Sequence, residues 1–63
     1  MKLKELLVLA GFQDEYEIIN KNTKEKNTYN GLDKIPESYS NMNVIRIYGY
    51  DADGYDGLQI FIQ

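Results

Sequence analysis

The sequence predicts an α+β domain in which one N-terminal helix packs on a small antiparallel β-sheet that ends in a C-terminal hairpin. Three observations predict this class. Apolar residues at the start follow a helical period, and a short strand-like stretch comes after them. Two later runs alternate with period two and are joined by a stretch rich in aspartate and glycine. At this length we expect residues 1–63 to form a single domain.

The N-terminal helix is predicted by apolar residues spaced three and four apart. They are Leu3, Leu6, Leu7 and Ala10. Gly11 follows them and suits the left-handed residue that ends many helices, after which Phe12 would fold back onto the last turn. Val8 and Leu9 widen the apolar arc, which would suit a helix that is covered on more than one side.

The middle of the chain predicts a strand, a polar hairpin and an irregular connection. Residues 15–20 mix glutamates with Tyr16, Ile18 and Ile19, a pattern typical of a strand with one polar face. The stretch "NKNTKEKN" is a polar turn, and "TYN" would return as a short second strand. Pro36 suits the first position of a single helical turn, "PESY".

The clearest pattern is the pair of alternating runs "NVIRIYGY" and "LQIFIQ". If their isoleucine faces coincide, the register is restricted, because a slip of one residue would turn one run over. The predicted pairs are Ile47 with Ile60, Ile45 with Ile62, Arg46 with Phe61, and Tyr48 with Gln59. We therefore expect a core of Leu3, Leu6, Leu7, Ala10, Ile18, Ile45, Ile47, Leu58, Ile60 and Ile62.

The loop "DADGYDG" between these runs raises the question of a metal site. Asp51 and Asp53 match the first two positions of a calcium loop, but Tyr55 occupies the fifth and no glutamate follows. We interpret the loop as a reverse turn, since aspartate and glycine tolerate the backbone angles that turns require. We expect no metal and no cofactor, and a calcium-stabilised or carboxylate-catalytic domain is the alternative hypothesis.

Composition further restricts the chemistry. The chain has no cysteine and no histidine, which excludes disulfides, thiolate zinc sites, thiol catalysis and the commonest general base. We therefore predict that the protein is not an enzyme. No run approaches the roughly 20 apolar residues that a bilayer requires, and Glu5 interrupts the stretch that imitates a signal peptide. The expected location is the cytoplasm.

The charge pattern bears on the class of partner. The net charge is −3, and residues 1–35 hold equal numbers of lysines and acids, so the acidic excess lies in residues 36–63. A protein that binds phosphates needs clustered lysine and arginine, which argues against direct binding of nucleic acid. A basic protein surface, including a nuclease groove, is compatible with this charge.

The side of the C-terminal hairpin opposite the isoleucines is the candidate contact surface. It would carry Val44, Arg46, Tyr48 and Phe61, with Tyr50 nearby. Arginine and aromatic residues are the types enriched where proteins bind each other. Asp51, Asp53 and Asp56 would flank it and steer a basic partner. The alternatives are ordinary cross-strand pairing, with Phe61 shielding Arg46, and coverage by the helix or a second copy. If the last strand lay at a sheet edge, it could pair with its copy across a twofold axis.

The layout "LKELL…EYEII…KIPESYSNMNVIRIYGYD…LQIFI" resembles small uncharacterised proteins of phages and mobile elements in Gram-positive bacteria. The resemblance covers nearly the whole chain, and no catalytic residue can be transferred from it. It implies binding to a host protein, because phage proteins of this size often act in that way, and some inhibit defence nucleases, the anti-CRISPR proteins among them. The expected function is a noncatalytic protein-binding module that inhibits such a host protein; the alternative is a self-associating homodimer.

Overall fold

The computed structural model describes all 63 residues, apart from the side chain of Ala52. One helix precedes four strands, which are α1 (Leu3–Ala10), β1 (Glu15–Asn20), β2 (Glu25–Tyr29), β3 (Val44–Ala52) and β4 (Tyr55–Ile62). Two single-turn 3₁₀ helices, Leu32–Lys34 and Glu37–Tyr39, lie between β2 and β3. The second is the helical turn expected in "PESY", but Pro36 precedes it as the N-cap and is not its first helical residue. The predicted α+β class, N-terminal helix and C-terminal hairpin are confirmed.

The sheet is mixed, whereas the sequence predicted antiparallel pairing throughout. The strand order is β2-β1-β4-β3. The two hairpins, β1 with β2 and β3 with β4, are antiparallel, but β1 and β4 pair in parallel. Parallel neighbours need a crossover connection. Residues 30–43 provide it, because they lead from β2 at one edge of the sheet to β3 at the other.

The last strand of the chain lies in the interior of the sheet. Strand β4 pairs with β1 on one side and with β3 on the other. The sequence left open whether this strand is an edge; it is not, and the edges are β2 and β3. The interior position fits its side chains, because Ile60 and Ile62 are fully buried.

The core lies between α1 and one face of the sheet. Its buried side chains are Leu3, Leu6, Tyr16, Ile18, Ile60 and Ile62. Leu7, Ala10 and Leu58 pack against them and are partly buried. Eight of the ten predicted core positions therefore belong to this layer, and Tyr16 joins it although the sequence did not single it out.

Two predicted core residues are exposed by nearly half, Ile45 at 46% and Ile47 at 41%. Ile62 pairs with Val44 and not with Ile45, because a β-bulge shifts the register between Val44 and Arg46. Ile47 does lie opposite buried Ile60 as predicted, but it belongs to an edge strand. No further strand among the described residues shields its outer side.

The end of the helix differs from the expectation in two respects. Gly11 has a positive φ angle of +73°, but its ψ angle of −160° is not that of the left-handed conformation that the sequence predicted. In addition, Phe12 does not fold back onto the helix and is 82% exposed. Tyr16 fills that place instead, since its hydroxyl donates to the Gly11 carbonyl and accepts the Gln13 amide, each at 3.2 Å.

The C-terminal hairpin closes through a two-residue turn. Asp53 and Gly54 have φ angles of +52° and +84°, as the favoured type I′ hairpin turn requires. This turn sets the register of the strands that it joins. The predicted pairs Arg46 with Phe61, Ile47 with Ile60, and Tyr48 with Gln59 are confirmed.

Candidate protein-binding surface

The face of the sheet opposite α1, here called the outer face, carries Arg46, Tyr48, Tyr50 and Phe61 as predicted. Val44 was expected there too, but it lies on the core side, because it precedes the bulge and pairs with buried Ile62. Side chains alternate along each strand, so the positions facing away from the buried residues fall on one surface. Strand β3 contributes Arg46, Tyr48 and Tyr50 to it, β4 contributes Gly57, Gln59 and Phe61, and β1 contributes Glu15, Glu17 and Ile19.

An aromatic pair lies near the middle of the outer face. The rings of Tyr48 and Phe61 meet edge to face, with centroids 6.0 Å apart and an interplanar angle of 80°. Such pairs contribute about 0.5–1.5 kcal/mol beyond their burial. Tyr48 nevertheless remains 48% exposed, so its apolar surface is available to a partner.

Two cations border the aromatic pair. Arg46 lies opposite Phe61 on β3 and is exposed, and the ammonium nitrogen of Lys21 lies 5.9 Å from the centroid of the Phe61 ring. The cation over this ring is therefore Lys21, where the sequence had suggested Arg46. With Ile45, these three residues line a shallow depression. We call Lys21, Ile45, Arg46, Tyr48 and Phe61 the aromatic patch.

The glutamates of the outer face are engaged by neighbouring strands. Glu17 accepts a hydrogen bond of 2.6 Å from the Gln59 side chain and lies 3.8 Å from the Lys26 ammonium. Glu15 accepts a hydrogen bond from the Tyr50 hydroxyl. These contacts hold the acidic groups on the β1 side. The exposed charges within the aromatic patch, those of Lys21 and Arg46, are both positive.

Tyr50 has a structural role on this face. Its ring lies over Gly57, where a Cβ atom would clash with the ring and hydroxyl oxygen. Burial raises the pKa of Tyr50 far above its usual range, and the hydrogen bond to Glu15 and the charges of Glu15 and Glu17 raise it further. The hydroxyl therefore stays a proton donor to Glu15, and Tyr50 presents less free surface than Tyr48 does.

The three aspartates lie at the turn end of the hairpin. Asp51 and Asp56 are directly opposite each other, and strand alternation places them on the helix side of the sheet. Asp53 forms part of the turn. The backbone of Asp56 also pairs with Asp14, which accepts the Asp56 amide at 2.9 Å. The aspartates thus lie beyond one end of the aromatic patch, and their role in steering a partner stays a prediction.

Sequence reasoning missed Lys21 and Ile45 as members of the patch. Period-two alternation assigns Ile45 to the core, and only the bulge brings it beside Arg46. Lys21 follows β1, and its approach to Phe61 depends on the parallel pairing of β1 with β4. No local signal in the sequence predicts either feature.

A second exposed apolar surface lies on the outward side of α1. Val8 is 82% exposed and Leu9 is 73% exposed, and both lie beside Lys4 and Glu5. The described residues therefore cover the helix on one side only. The sequence had suggested that Val8 and Leu9 are covered as well, and within this chain they are not.

Comparison of the chain with protein-family models, curated proteins and solved structures finds no match. The longest helix in the described part of the chain is α1, and it is too short to cross a bilayer. The described residues also contain no group of three or more acidic side chains arranged to hold a metal ion.

Proposed function

We propose that the protein is a noncatalytic protein-binding module whose contact surface is the aromatic patch. One observation carries the proposal: the helix covers one face of the sheet, and exposed aromatic, aliphatic and arginine side chains lie together on the other. Arginine and aromatic residues are the types on which binding energy concentrates. The strands under the patch hold these side chains in place, so little conformational entropy is lost on binding.

The distribution of charge defines the kind of surface that fits. Lys21 and Arg46 lie at one end of the patch, and Asp51, Asp53 and Asp56 lie beyond the other. A complementary partner presents an apolar centre, an acidic group facing Arg46 and basic groups facing the turn. A partner with a basic region of this kind is compatible with the proposed inhibition of a host defence nuclease, which rests on the resemblance to phage proteins.

The test is affinity capture from a Gram-positive host lysate, with three forms of the protein as bait. We expect the native chain to recover a specific protein and Tyr48→Ala to lose it, with affinity reduced about 30-fold. Phe12→Ala is the matched control, because Phe12 is an exposed aromatic residue outside the outer face. Circular dichroism checks that each variant is folded.

Two results would contradict the proposal. If Phe12→Ala loses the partner while Tyr48→Ala keeps it, the contact surface lies beside the helix and not on the sheet. If the native chain recovers no protein that Tyr48→Ala fails to recover, a foreign partner at this patch is excluded under the conditions used. Weight then moves to the alternative function, a module that associates with itself.

A further inference from the structure

Strand β3 is an edge of the sheet, and only one end of it is covered. Lys2 forms an antiparallel bridge with Asn43, and the Val44 amide donates to the Met1 carbonyl at 2.7 Å. Residues 1–3 thus shield the start of the strand, and the bulge follows immediately. Beyond the bulge, residues 46–52 have β4 as their sole strand partner among the described residues.

The hairpin turn determines which backbone groups on this edge are free. A two-residue turn is flanked by a hydrogen-bonded pair, here Ala52 with Tyr55, and the pairs then alternate between bonded and non-bonded along the ladder. Ile47, Gly49 and Asp51 are the non-bonded positions. Their N–H and C=O groups therefore point away from β4, toward the open side of the strand.

The two edges of the sheet differ in how they are protected. Lysines and other charged side chains discourage pairing with another strand. On β2, residues 25–28 are polar and exposed and include Lys26. The free part of β3 also carries two charged residues, Arg46 and Asp51, but it exposes the apolar surface of Ile47 and Tyr48 between them. Long edges with exposed apolar surface are the ones that pair with another strand.

We propose that β3 pairs with β3 of a second copy of this chain, antiparallel and about a twofold axis through Gly49. The free groups of Ile47, Gly49 and Asp51 are symmetric about that residue, and so is the uncovered span 46–52. This register uses the whole free edge. Gly49 is exposed and carries no side chain, so nothing on this residue obstructs the approach of a second backbone at the axis.

Charge along the strand favours a second copy over other occupants. Arg46 is at one end of the free edge, and Asp51 and Asp53 are at the other. Antiparallel pairing brings the end of each copy that carries Arg46 near the end of the other that carries Asp51 and Asp53, and these ends attract each other. Arg46 and Asp51 lie on opposite faces of the sheet, so the attraction acts between the ends and not as a direct cross-strand ion pair. Ile47 then lies opposite Asp51 of the second copy, and Tyr48 lies opposite its Tyr50. The outcome is a continuous eight-stranded sheet with two adjoining aromatic patches.

The first test compares two substitutions at the axis by light scattering and sedimentation. Gly49→Pro removes the N–H that points across the axis and leaves the pairing with β4 intact. We expect the native chain to be a dimer and Gly49→Pro to weaken dimerisation about tenfold or more, because two symmetric hydrogen bonds are lost. Gly49→Ala keeps the N–H, fits the open space and should dimerise like the native chain.

A cysteine cross-link tests the register even if the proline variant fails to fold. The chain has no cysteine, so Gly49→Cys introduces one thiol per copy. The axis places these thiols within disulfide range, and mild oxidation should give a covalent dimer. Asn27→Cys, at the other edge, should remain uncross-linked. A native chain that is monomeric at about millimolar concentration would overturn the proposal, as would equal cross-linking at both edges.

This inference concerns the strand edge and does not depend on the proposed binding of a foreign protein. Gly49→Pro tests the edge, and Tyr48→Ala tests the outer face. A native chain that remains monomeric but is captured with a host protein leaves the proposed function standing and removes the dimer. A native chain that forms the dimer but captures no other protein supports pairing at the edge of β3 and removes the proposed binding of a foreign protein.

Discussion

The hydroxyl of Tyr50 on β3 donates a hydrogen bond of 2.5 Å to the Glu15 carboxylate on β1, passing over Gly57 of the strand between them. The two residues are 35 positions apart in the sequence. The bond therefore links the two hairpins across the parallel β1–β4 junction. It depends on a glycine at position 57, since a side chain there would occupy the place of the tyrosine ring.

Gly57→Ala should destabilise the protein by about 1–3 kcal/mol, the usual cost of forcing extra atoms into a packed site. The new methyl group would clash with Tyr50 and displace its hydroxyl from Glu15. Urea denaturation measures the change in the free energy of unfolding. Gly49→Ala is the control in the same sheet, because its added methyl group lies in open space. Equal stability of the two variants would show that Tyr50 does not pack over Gly57.

Tyr50→Phe should lower the free energy of unfolding by about 1.5 kcal/mol near neutral pH, the lower end of the range for a hydrogen bond to a charged acceptor. Burial and the contact with Glu15 raise the pKa of Tyr50 in the folded state above the value of about 10 expected in the unfolded chain. The stabilisation is therefore complete below about pH 10 and is lost as the pH rises further.

The corresponding measurement is denaturant unfolding of the native chain and Tyr50→Phe between pH 7 and 11. The stability difference between them should stay constant up to about pH 9 and shrink above about pH 10. Tyr48→Phe serves as the control, since the Tyr48 side chain is about half exposed. A difference that grows with rising pH would contradict the assigned direction of the Tyr50 pKa.

Ile60→Ala and Ile47→Ala should differ in cost although the two residues are paired. Ile60 is fully buried on the interior strand, and its truncation should cost about 2–5 kcal/mol. Ile47 is 41% exposed on the edge strand, so its truncation should cost less than about 1.5 kcal/mol. Thermal unfolding measures the two costs, at a protein concentration low enough for the chain to be monomeric. If both variants unfold at the same temperature, the edge position of β3 is wrong.

The aspartate loop should not bind calcium strongly. Asp53 belongs to a two-residue turn, and Asp51 and Asp56 face each other without a third acidic group placed to complete a site among the described residues. Calorimetric titration should show no binding tighter than about millimolar, the weak end of known calcium sites. A micromolar site that is lost in Asp51→Asn would show that these carboxylates converge on a metal.

Local patterns in the sequence determined the helix, the C-terminal hairpin and its register. The spacing of Leu3, Leu6 and Leu7 predicts α1 because helical periodicity is a property of neighbouring residues. The alternation of residues 44–50 and 58–62, with Asp53 and Gly54 between them, predicts the pairs seen around Ile47. The shared face of Arg46, Tyr48, Tyr50 and Phe61 follows from the same alternation.

Only the tertiary structure decided the strand order, the bulge and the exposure of each face. The pairing of β1 with β4 joins residues about 42 positions apart, and it determines that β4 is interior and β3 is an edge. That position exposes Ile47, and the bulge moves Ile45 beside Arg46. Tyr16 is buried because its hydroxyl finds partners at the end of α1. Periodicity shows which side chains share a face, but long-range pairing decides what covers that face.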